Sequence, residues 1–221
     1  ANNLWRMPGV KLVAVCDIRP AQLAAPSVAT NISDGRTTFD IRTAATYTDF
    51  PTMLRAAKPD VVVLTVPTHL HAAMAVAALR AGCHVFCEKP MGLSVKECDA
   101  MLRARDRARR ELMVGQVLRF WPEYEALREA IRRRTYGRLL SLSMERISGY
   151  ASWSPDNWFN DHRKSGGALL DLHLHDADWA LHAFGTPRVL HAAGRVGRTG
   201  GIDDVTAIWD YTGGPVITMR G

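Results

Sequence analysis

Apolar segments in the first half of the chain alternate with helical patterns, and this alternation limits the fold more than any other feature. Residues 61–66 form an apolar run, residues 69–81 a helical pattern and residues 83–87 a second apolar run. Strand, helix and strand in this order predict a parallel sheet with helices on its faces. Lys89 follows the second run, so we expect it at the carboxyl edge of the sheet, where open α/β sheets bind their ligands.

The same alternation extends to about residue 121 and then gives way to another pattern. A strand at 139–147 with partial alternation is followed by a helix at 167–184 and three further strand patterns. Partial alternation is typical of an antiparallel sheet with one open face. We therefore predict a doubly wound parallel α/β domain in residues 1–121, followed by an α+β domain with a largely antiparallel open sheet in residues 122–221.

The composition of the chain is that of an ordinary globular protein. Its 221 residues are 47% apolar and 23% charged. No run approaches the roughly 18 apolar residues that a membrane span needs, and the amino end lacks the layout of a signal peptide. We expect no membrane partner and a cytoplasmic location. That location agrees with four cysteines interpreted as reduced and structural, namely Cys16, Cys83, Cys87 and Cys98.

Positive charge is concentrated in two arginine-rich segments. The net charge is +6, with clusters at 103–110 and 132–134. Alanines and leucines recur at helical spacing among these arginines, which is typical of a solvated helix face. Aromatic residues that could stack on bases are not interleaved with them. We therefore expect no nucleic-acid partner.

The helix at 167–184 carries the clearest chemical pattern. Asp171 and His175 are four residues apart and Asp178 follows within another turn, so the three side chains can share one face. A carboxylate beside a histidine favours the charged ring and orients it for proton exchange near neutral pH. Reversible alcohol oxidation needs such a base, because the hydroxyl proton must leave as the hydride departs. The alternative is a histidine that only packs in the core.

Two His-x-His pairs, at 69–71 and 173–175, raise the question of metal binding. Residues two apart on a helix face different directions, so neither pair is a ready chelate, and we predict no metal site. A metal hydrolase that combines the second pair with Asp171 and Asp178 stays open as the least favoured alternative. His71 is interpreted as a residue at a helix start.

Three motifs, taken together, resemble the Gfo/Idh/MocA oxidoreductases, the glucose-fructose oxidoreductase and inositol dehydrogenase family. Residues 65–71 and 81–90 resemble the segment that carries its Glu-Lys-Pro motif, and residues 166–179 resemble its glycine pair and Asp-x-x-x-His helix. Val-Ala-Val-Cys-Asp at 13–17 is similar to the second strand of its dinucleotide-binding domain. The resemblance implies a Rossmann-type first domain and NAD(P)-dependent hydride transfer at a CH–OH group of a sugar, cyclitol or related polyol. A non-catalytic ligand- or protein-binding relative of the same fold is the alternative.

The resemblance also implies roles for individual residues. Lys89 would bind the reacting hydroxyl, His175 would be the acid and base, and Asp171 would orient the substrate. Residues of the loop before the glycine pair can line a polyol pocket, or can merely anchor the loop through its own tryptophans. The candidate substrate-binding residues are therefore Lys89, Trp153, Trp158, Lys164, Asp171 and His175, with Asp161 in the same loop.

The choice of cofactor depends on Asp17, at the end of the strand at 13–17, and on Arg19, two residues further on. Asp17 can accept hydrogen bonds from the adenosine ribose 2′-hydroxyl, which favours NAD. Arg19 can instead meet the 2′-phosphate of NADP, so both cofactors stay open with NAD preferred. By resemblance, the residues around the nicotinamide half are Thr65, Pro67, His71, Glu88 and Lys89.

The chain departs from the family pattern before Asp17, where no Gly-x-Gly-x-x-Gly motif is found. The expectation is a fragment that lacks a strand-loop-helix unit in front and several strands behind, and that binds cofactor poorly by itself. By family resemblance we also expect a homo-oligomer, a dimer or tetramer, and an open sheet face is a suitable interface.

Overall fold

The computed structural model describes residue 4 and residues 6–24, 41–151 and 154–221 of the chain. In the first half of this described part, short strands alternate with helices, as predicted. The strands are β1 (Ala14–Cys16), β2 (Ala45–Tyr47), β3 (Val61–Leu64), β4 (His84–Cys87) and β5 (Leu112–Val114). The helices are α1 (Pro20–Ala24), α2 (Phe50–Ala57), α3 (His71–Arg80) and α4 (Val95–Ala108), with 3-10 turns at Ile41–Thr43 and Thr68–Leu70.

All strand pairs in this half are parallel. β1 pairs with β2, and β3, β4 and β5 form a second group in that order. Beyond the paired residues, the Glu88 amide donates to the Leu64 carbonyl at 3.0 Å and the Gly115 amide to the Cys87 carbonyl at 2.8 Å. The register therefore brings the residues that follow β3, β4 and β5 side by side at one edge.

Small side chains let α3 pack closely on these strands. Ala75, Ala78 and Leu79 of α3 are fully buried against a cluster that includes Val85 and Cys87. Interiors are packed at crystal-like density, so alanine at the contact sets a short distance between helix and sheet. This contact fixes the helix start at His71 relative to the ends of β3 and β4.

The start of helix α4 and its solvated arginine-rich face agree with the sequence pattern. The Ser94-x-x-Glu97 spacing is the pattern of a capping box, and the Ser94 hydroxyl accepts from the Glu97 amide at 3.3 Å, which is one half of that motif. The Glu97 carboxylate accepts from the Leu93 amide at 2.7 Å, one residue before the predicted partner. Met101 is buried while Arg103 is exposed, so the arginines lie on the solvated face.

The second half of the described chain contains one mixed sheet and three helices. Among the described residues, no helix is long and apolar enough to cross a bilayer. The strands are β6 (Ser141–Glu145), β7 (Val189–Val196), β8 (Ile202–Asp210) and β9 (Val216–Arg220). The helices are α5 (Pro122–Arg133), α6 (His162–Ser165) and α7 (Leu174–Phe184), with 3-10 turns at Val117–Phe120 and Pro155–Asn160 and a π turn at Leu169–His173.

The strand order of this sheet is β6-β9-β8-β7. The hairpin pairings β7–β8 and β8–β9 are antiparallel, as predicted, but β6 pairs in parallel with β9. The expectation of an antiparallel neighbour for the strand predicted at 139–147 is therefore wrong. The reason is topological. After β6 the chain crosses the sheet face through α7 and then forms β7, β8 and β9 as antiparallel neighbours. Only the last of these strands, β9, returns to pair with β6.

Helix α7 covers one face of the mixed sheet. Trp179 is 1% exposed and shares a core cluster with Trp209, Ile217 and Met219 from the inner face. Tyr124 of α5 contacts the Trp179 ring edge-on at a centroid distance of 5.5 Å. Truncating a buried tryptophan of this kind costs about 3–5 kcal/mol of stability. This packing holds the helix that carries His175.

The apolar pattern at 112–118 predicts a strand over these residues, but the observed strand is shorter. β5 ends at Val114, and Val117–Phe120 form a 3-10 turn. Leu118 is 2% exposed and belongs to the second core cluster rather than the first. The apolar residues at the end of this predicted strand therefore pack on the second half of the molecule.

The predicted helix at 167–184 also differs, because it begins with the π turn before α7 continues it. Gly166 ends α6 with φ of +85°, a left-handed conformation that glycine adopts without a steric penalty. A Cβ built on Gly166 would lie 2.6 Å from the Leu170 Cβ. The glycine is needed both for the turn and for the approach of Leu170.

We expect Gly166→Ala to destabilise the protein by about 2–4 kcal/mol, because a left-handed alanine costs about 1 kcal/mol and the overlap with Leu170 adds about 1–3 kcal/mol. Gly137→Ala is the matched control, since Gly137 has φ of +92° but no atom within 4 Å of an added Cβ. Urea unfolding measures both variants. Equal losses of stability would show that contact with Leu170 contributes nothing.

Candidate active site

Several predicted site residues lie at one edge of the parallel strands. Thr65 directly follows β3, Glu88 and Lys89 follow β4, and Gly115 follows β5. A Cβ on Gly115 would lie 3.2 Å from the Glu88 Oε2 atom, so the missing side chain makes room for that carboxylate. The carboxyl edge therefore presents an ammonium and a carboxylate next to each other.

Lys89 and Asp171 meet although they are far apart in sequence. The Lys89 Nζ atom donates to the Asp171 Oδ1 atom at 2.7 Å and to the Asp171 carbonyl oxygen at 2.9 Å. Their side chains are 20% and 22% exposed, so solvent only partly screens the pair. An ammonium has three donors, and these two bonds leave one for a ligand. Lys89 and Asp171, to which the resemblance gives roles in one site, thus form an ion pair across the two halves of the chain.

The π turn explains how Asp171 offers two acceptors to one ammonium. Such a turn shifts the helical hydrogen bonds by one residue and widens the helix, and π turns are frequent at functional sites. Asp171 lies in the middle of the turn and presents both its carboxylate and its backbone carbonyl to Lys89. A regular helix, as predicted from the sequence, gives no reason to expect the carbonyl contact.

His175 follows the π turn, and its environment reverses one expectation. Burial, then the positive charges of Lys89 and Arg146, lower its pKa to about 4, against smaller opposing effects of Asp171 and Asp176. The expectation that a neighbouring carboxylate favours the charged ring is wrong here, because desolvation and two cations outweigh two carboxylates. The ring is neutral at pH 7. Its buried Nδ1 atom has no hydrogen-bond partner in the described structure.

Arg146 and Asp176 form a pair that the sequence pattern did not indicate. Asp176 is 2% exposed and accepts from the Arg146 guanidinium at 2.8 and 3.2 Å. Arg146 also donates to the Tyr124 hydroxyl at 3.0 Å, which links β6, α5 and α7. An arginine just beyond β6 was the available signal. The role of this arginine is visible only in the folded structure, where Arg146 meets Asp176 of α7.

Asp178 does not join Asp171 and His175. Its carboxylate is 9% exposed and accepts from both ends of the Arg119 guanidinium, at 2.7 and 2.5 Å. The expected sharing of one cleft by the three side chains is therefore wrong for Asp178. Residues 171 and 178 are separated by the change from π to α winding, and the arginine in the 3-10 turn after β5 takes the carboxylate.

The loop before the glycine pair lies near the edge of the parallel strands, because α6 contacts the Thr68–Leu70 turn. Asp161 caps α6 by accepting from the Arg163 amide at 3.1 Å, which gives it a structural role. Lys164 in α6 is half-buried, and Trp158 stacks on Phe159 with ring centroids 4.1 Å apart. Trp153, another predicted substrate residue, lies outside the described residues.

The predicted adenosine residues form a local ion pair. Asp17 follows β1 and accepts from the Arg19 amide at 2.8 Å, with the Arg19 Nε atom 3.6 Å away. Both side chains are at least one-third exposed, so either can turn to a ligand. Pro67 begins the Thr68–Leu70 turn, where its carbonyl accepts from the Leu70 amide at 2.9 Å, and Thr65 is exposed.

His71 begins α3, as interpreted from the sequence, but its ring faces the protein. The residue is 1% exposed, and its two ring nitrogens lie 2.8 Å from the Pro90 carbonyl oxygen and 2.9 Å from the Val66 carbonyl oxygen. Both polar atoms of the ring are therefore used within the protein. The expected polar contact between His71 and the cofactor does not fit this geometry.

The other predicted histidine positions separate in space. His69 is exposed, whereas His173 is buried and burial lowers its pKa. Over the described parts of the chain, no three histidine, cysteine, aspartate or glutamate side chains are grouped so that they could hold a metal ion.

We expect Lys89→Met to raise the pKa of His175 by about one unit, because the ammonium lowers it. Asp171→Asn should shift the same pKa downward, because this carboxylate raises it. NMR titration of the His175 ring measures both changes, with Lys96→Met as a control that removes an exposed lysine of α4. An unchanged pKa in Lys89→Met would contradict the placement of the Lys89 charge beside His175.

Curated proteins of similar sequence include two dehydrogenases. The D-glucoside 3-dehydrogenase of Escherichia coli K12 is 32% identical over 188 residues, which cover 81% of this chain and 48% of that protein. The inositol 2-dehydrogenase of Rhizobium meliloti strain 1021 is 31% identical over 211 residues, covering 92% of this chain and 58% of that protein. The chain thus spans about half to two thirds of the length of the curated relatives it matches.

Solved structures agree with the fold. The WlbA dehydrogenase from Chromobacterium violaceum, solved with NADH and UDP-GlcNAcA, is 25% identical with a TM-score of 0.77, over 95% of this chain and 59% of that one. The myo-inositol 2-dehydrogenase from Lactobacillus plantarum is 23% identical with a TM-score of 0.81, over 99% of this chain and 63% of that one. The second likeness supports the fold alone.

Two family models match nearly the whole chain. Residues 1–116 match the oxidoreductase family with an NAD-binding Rossmann fold, and residues 124–221 match the GFO/IDH/MocA C-terminal domain. The first model covers the Glu-Lys-Pro segment and the second covers the Asp-x-x-x-His helix. Both motifs therefore lie in the domains that the family resemblance indicates. The chain belongs to the Gfo/Idh/MocA family of oxidoreductases.

Proposed function

We propose that the protein transfers a hydride between a nicotinamide cofactor and a CH–OH group of a sugar, cyclitol or related polyol. The observation that carries this proposal is the contact of the Lys89 ammonium with Asp171 beside the neutral ring of His175. A cation with a free donor and an uncharged base are the two groups that alcohol oxidation requires of the protein. Both lie at the carboxyl edge of the parallel strands, where α/β sheets bind ligands.

Each of the three side chains has one task in this reaction. Lys89 donates its remaining N–H to the reacting hydroxyl and stabilises the negative charge that develops on that oxygen. His175 accepts the hydroxyl proton, which its neutral state at pH 7 allows, and returns it in the reverse direction. Asp171 holds Lys89 and orients a neighbouring substrate hydroxyl. When bound, the nicotinamide supplies the acceptor for the hydride that leaves the substrate carbon.

Residues at the carboxyl edge suit a dinucleotide. The Asp17 carboxylate can accept from a ribose hydroxyl, and the partly exposed Arg19 can bind a 2′-phosphate after leaving Asp17. Thr65 and Pro67 follow β3, and Glu88 directly precedes Lys89. These three residues are proposed to border the nicotinamide half of the cofactor. Because Asp17 already holds Arg19, we propose NAD as the preferred cofactor.

The substrate class rests on the relatives and on the loop before the glycine pair. The names of the relatives specify a glucoside and an inositol, which share adjacent hydroxyl groups on a ring. Lys164, Trp158 and Trp153 are proposed to line the polyol pocket. The contact of α6 with the Thr68–Leu70 turn supports this, because it brings the loop toward the same edge.

The other two function classes are less favoured. A non-catalytic relative has no need for a paired ammonium beside a neutral histidine, and the curated relatives above are named as dehydrogenases. The metal hydrolase would need Asp178 beside Asp171, but its carboxylate binds Arg119.

We expect the full-length protein to bind NADH and to oxidise at least one member of a panel of myo-inositol, D-glucosides and related polyols. Lys89→Met and His175→Gln should each lower kcat by about 10²–10⁴-fold, because each removes a group that acts on the reacting hydroxyl. In His175→Gln, NADH binding should change by less than about 3-fold, since this side chain serves the substrate. Fluorescence titration and steady-state kinetics, each run with NADH and NADPH, measure these effects.

His69→Gln is the matched control, because His69 is an exposed histidine in the middle of the Thr68–Leu70 turn. It should leave kcat unchanged. NADH binding without turnover on any member of the panel would favour the non-catalytic alternative. Turnover that survives both active-site substitutions would refute the assigned roles.

We further propose two domains and a homo-oligomer. Two separate core clusters support the division that was predicted between residues 121 and 122, and Leu118 in the second core argues for a boundary a few residues earlier. The outer face of the mixed sheet supports the oligomer. Ile208 is 44% and Val216 41% exposed there, and Thr218 is the cross-strand neighbour of Ile208. A dimer or tetramer that joins these faces would bury them.

Ile208→Glu should convert the oligomer to monomers, because it places a charge in the centre of the proposed interface. Size-exclusion chromatography with light scattering measures the mass. Val95→Glu is the control, since Val95 is also an exposed apolar residue but lies at the start of α4. A monomeric parent protein, or an Ile208→Glu variant of unchanged mass, would rule out this interface.

A cytoplasmic location is also proposed. The four cysteines are unpaired, and burial raises the pKa of the Cys87 thiol to about 12, which suits a reducing compartment. Fractionation of the source cells tests the location.

A further inference from the structure

The ring of His71 has an unusual pair of hydrogen-bond partners. Its Nδ1 atom lies 2.8 Å from the Pro90 carbonyl oxygen and its Nε2 atom 2.9 Å from the Val66 carbonyl oxygen. Carbonyl oxygens only accept hydrogen bonds, and a neutral imidazole carries one N–H. Both bonds therefore form together only when each ring nitrogen carries a proton. The ring is 1% exposed, so no solvent replaces a lost partner.

The two carbonyls belong to neighbouring strands of the parallel group. Val66 follows β3, and Pro90 follows β4 and comes directly after Lys89. Proline has no N–H, so its carbonyl is the backbone group through which this turn can be held. His71 itself starts α3, which the buried contact with β4 holds rigidly. One ring thus connects a helix start with the turn that carries the proposed hydroxyl-binding lysine.

Lysine needs such support more than most residues do. Its four-carbon side chain is flexible, and each rotatable bond that must be ordered costs entropy. The Lys89 amide itself has only a long contact, 3.3 Å, with the Glu88 carboxylate. A shift of about 1 Å in the backbone of a catalytic group can cost about 10²-fold in rate. On the two sides of Lys89 along the backbone, the Glu88 amide donates to the Leu64 carbonyl at 3.0 Å and the Pro90 carbonyl oxygen lies 2.8 Å from the His71 ring.

We infer that His71 is a positioning residue that acts through Lys89: its bond to Pro90 fixes the turn from which the ammonium reaches Asp171. The inference rests on the proposed function for its importance to the reaction, but not for the geometry. His71 touches neither substrate nor cofactor. Its second bond, to the Val66 carbonyl oxygen, anchors the ring to the segment that follows β3.

Two amide side chains separate these bonds. In His71→Asn the amide takes the place of Nδ1 and can still donate to Pro90, whereas in His71→Gln it takes the place of Nε2 and can still donate to Val66. Both variants lose one buried hydrogen bond, so they should be destabilised alike. Only His71→Gln releases the Lys89 turn.

The pKa of His175 reports on Lys89 without any cofactor or substrate, because the Lys89 charge lowers it. We expect NMR titration to show a rise of about half to one unit in His71→Gln and little change in His71→Asn. In a Lys89→Met background, His71→Gln should add nothing further. His69→Gln, an exposed histidine two residues away, is the control that should leave this pKa unchanged.

Kinetics in the full-length protein give the functional reading. His71→Gln should lower kcat by about 10-fold or more with NADH affinity retained, and His71→Asn should restore most of kcat. If the pKa pattern appears but no polyol is oxidised, the positioning role stands and the hydride-transfer proposal fails. Equal effects of the two variants on the pKa of His175, or none, would overturn the inference.

Nitrogen-15 NMR of the unaltered protein supplies a test that needs no folded variant. The ring of His71 should carry a proton on its Nδ1 atom, in a hydrogen bond to the Pro90 carbonyl oxygen. A ring without a proton on Nδ1 would refute the bond to Pro90 and with it the inference.

Discussion

The contact between Lys89 and Asp171 is the interaction on which the candidate site depends. It joins a turn after a parallel strand to a π turn before a helix that covers another sheet, so it forms only when both halves of the chain are folded and docked. An ammonium and a carboxylate with about one-fifth of their surfaces exposed attract each other more strongly than a fully solvated pair. The pair thereby selects one arrangement of the two sheets.

Around this pair, burial decides which groups carry charge. His175 loses the hydration that would stabilise an imidazolium, and the cations Lys89 and Arg146 add to that cost. Arg146 is in turn held by the buried carboxylate of Asp176 and by Tyr124. A site with a paired ammonium and a neutral base is the result. Arg146, Asp176 and Tyr124 lie on or directly beside three separate elements, β6, α7 and α5. None of these elements is next to Lys89 in the sequence.

Local patterns predicted most of the scaffold and part of the site. The alternation of apolar runs and helical periodicity located β3, α3 and β4, and the spacing of Ser94 and Glu97 indicated the start of α4. The four-residue spacing of Asp171 and His175 predicted one helical segment for both, which the structure divides between a π turn and α7. The same reasoning failed for Asp178, because Arg119 from a turn after β5 competes for its carboxylate. It also failed for β6, whose parallel neighbour is set by a crossover that strand patterns do not encode.

The sequence by itself determined the fold class and the family, and it predicted Lys89, Asp171 and His175 as the candidate site residues, because periodicity and short motifs are properties of neighbouring residues. Tertiary structure decided the rest. The neutral state of His175 depends on desolvation and on charges brought from distant elements. The inward turn of His71 depends on two carbonyl oxygens at adjacent strand ends, which no local pattern specifies. Electrostatic and hydrogen-bonding partners that are remote along the chain become neighbours only after packing, so their effects are readable only in the folded molecule.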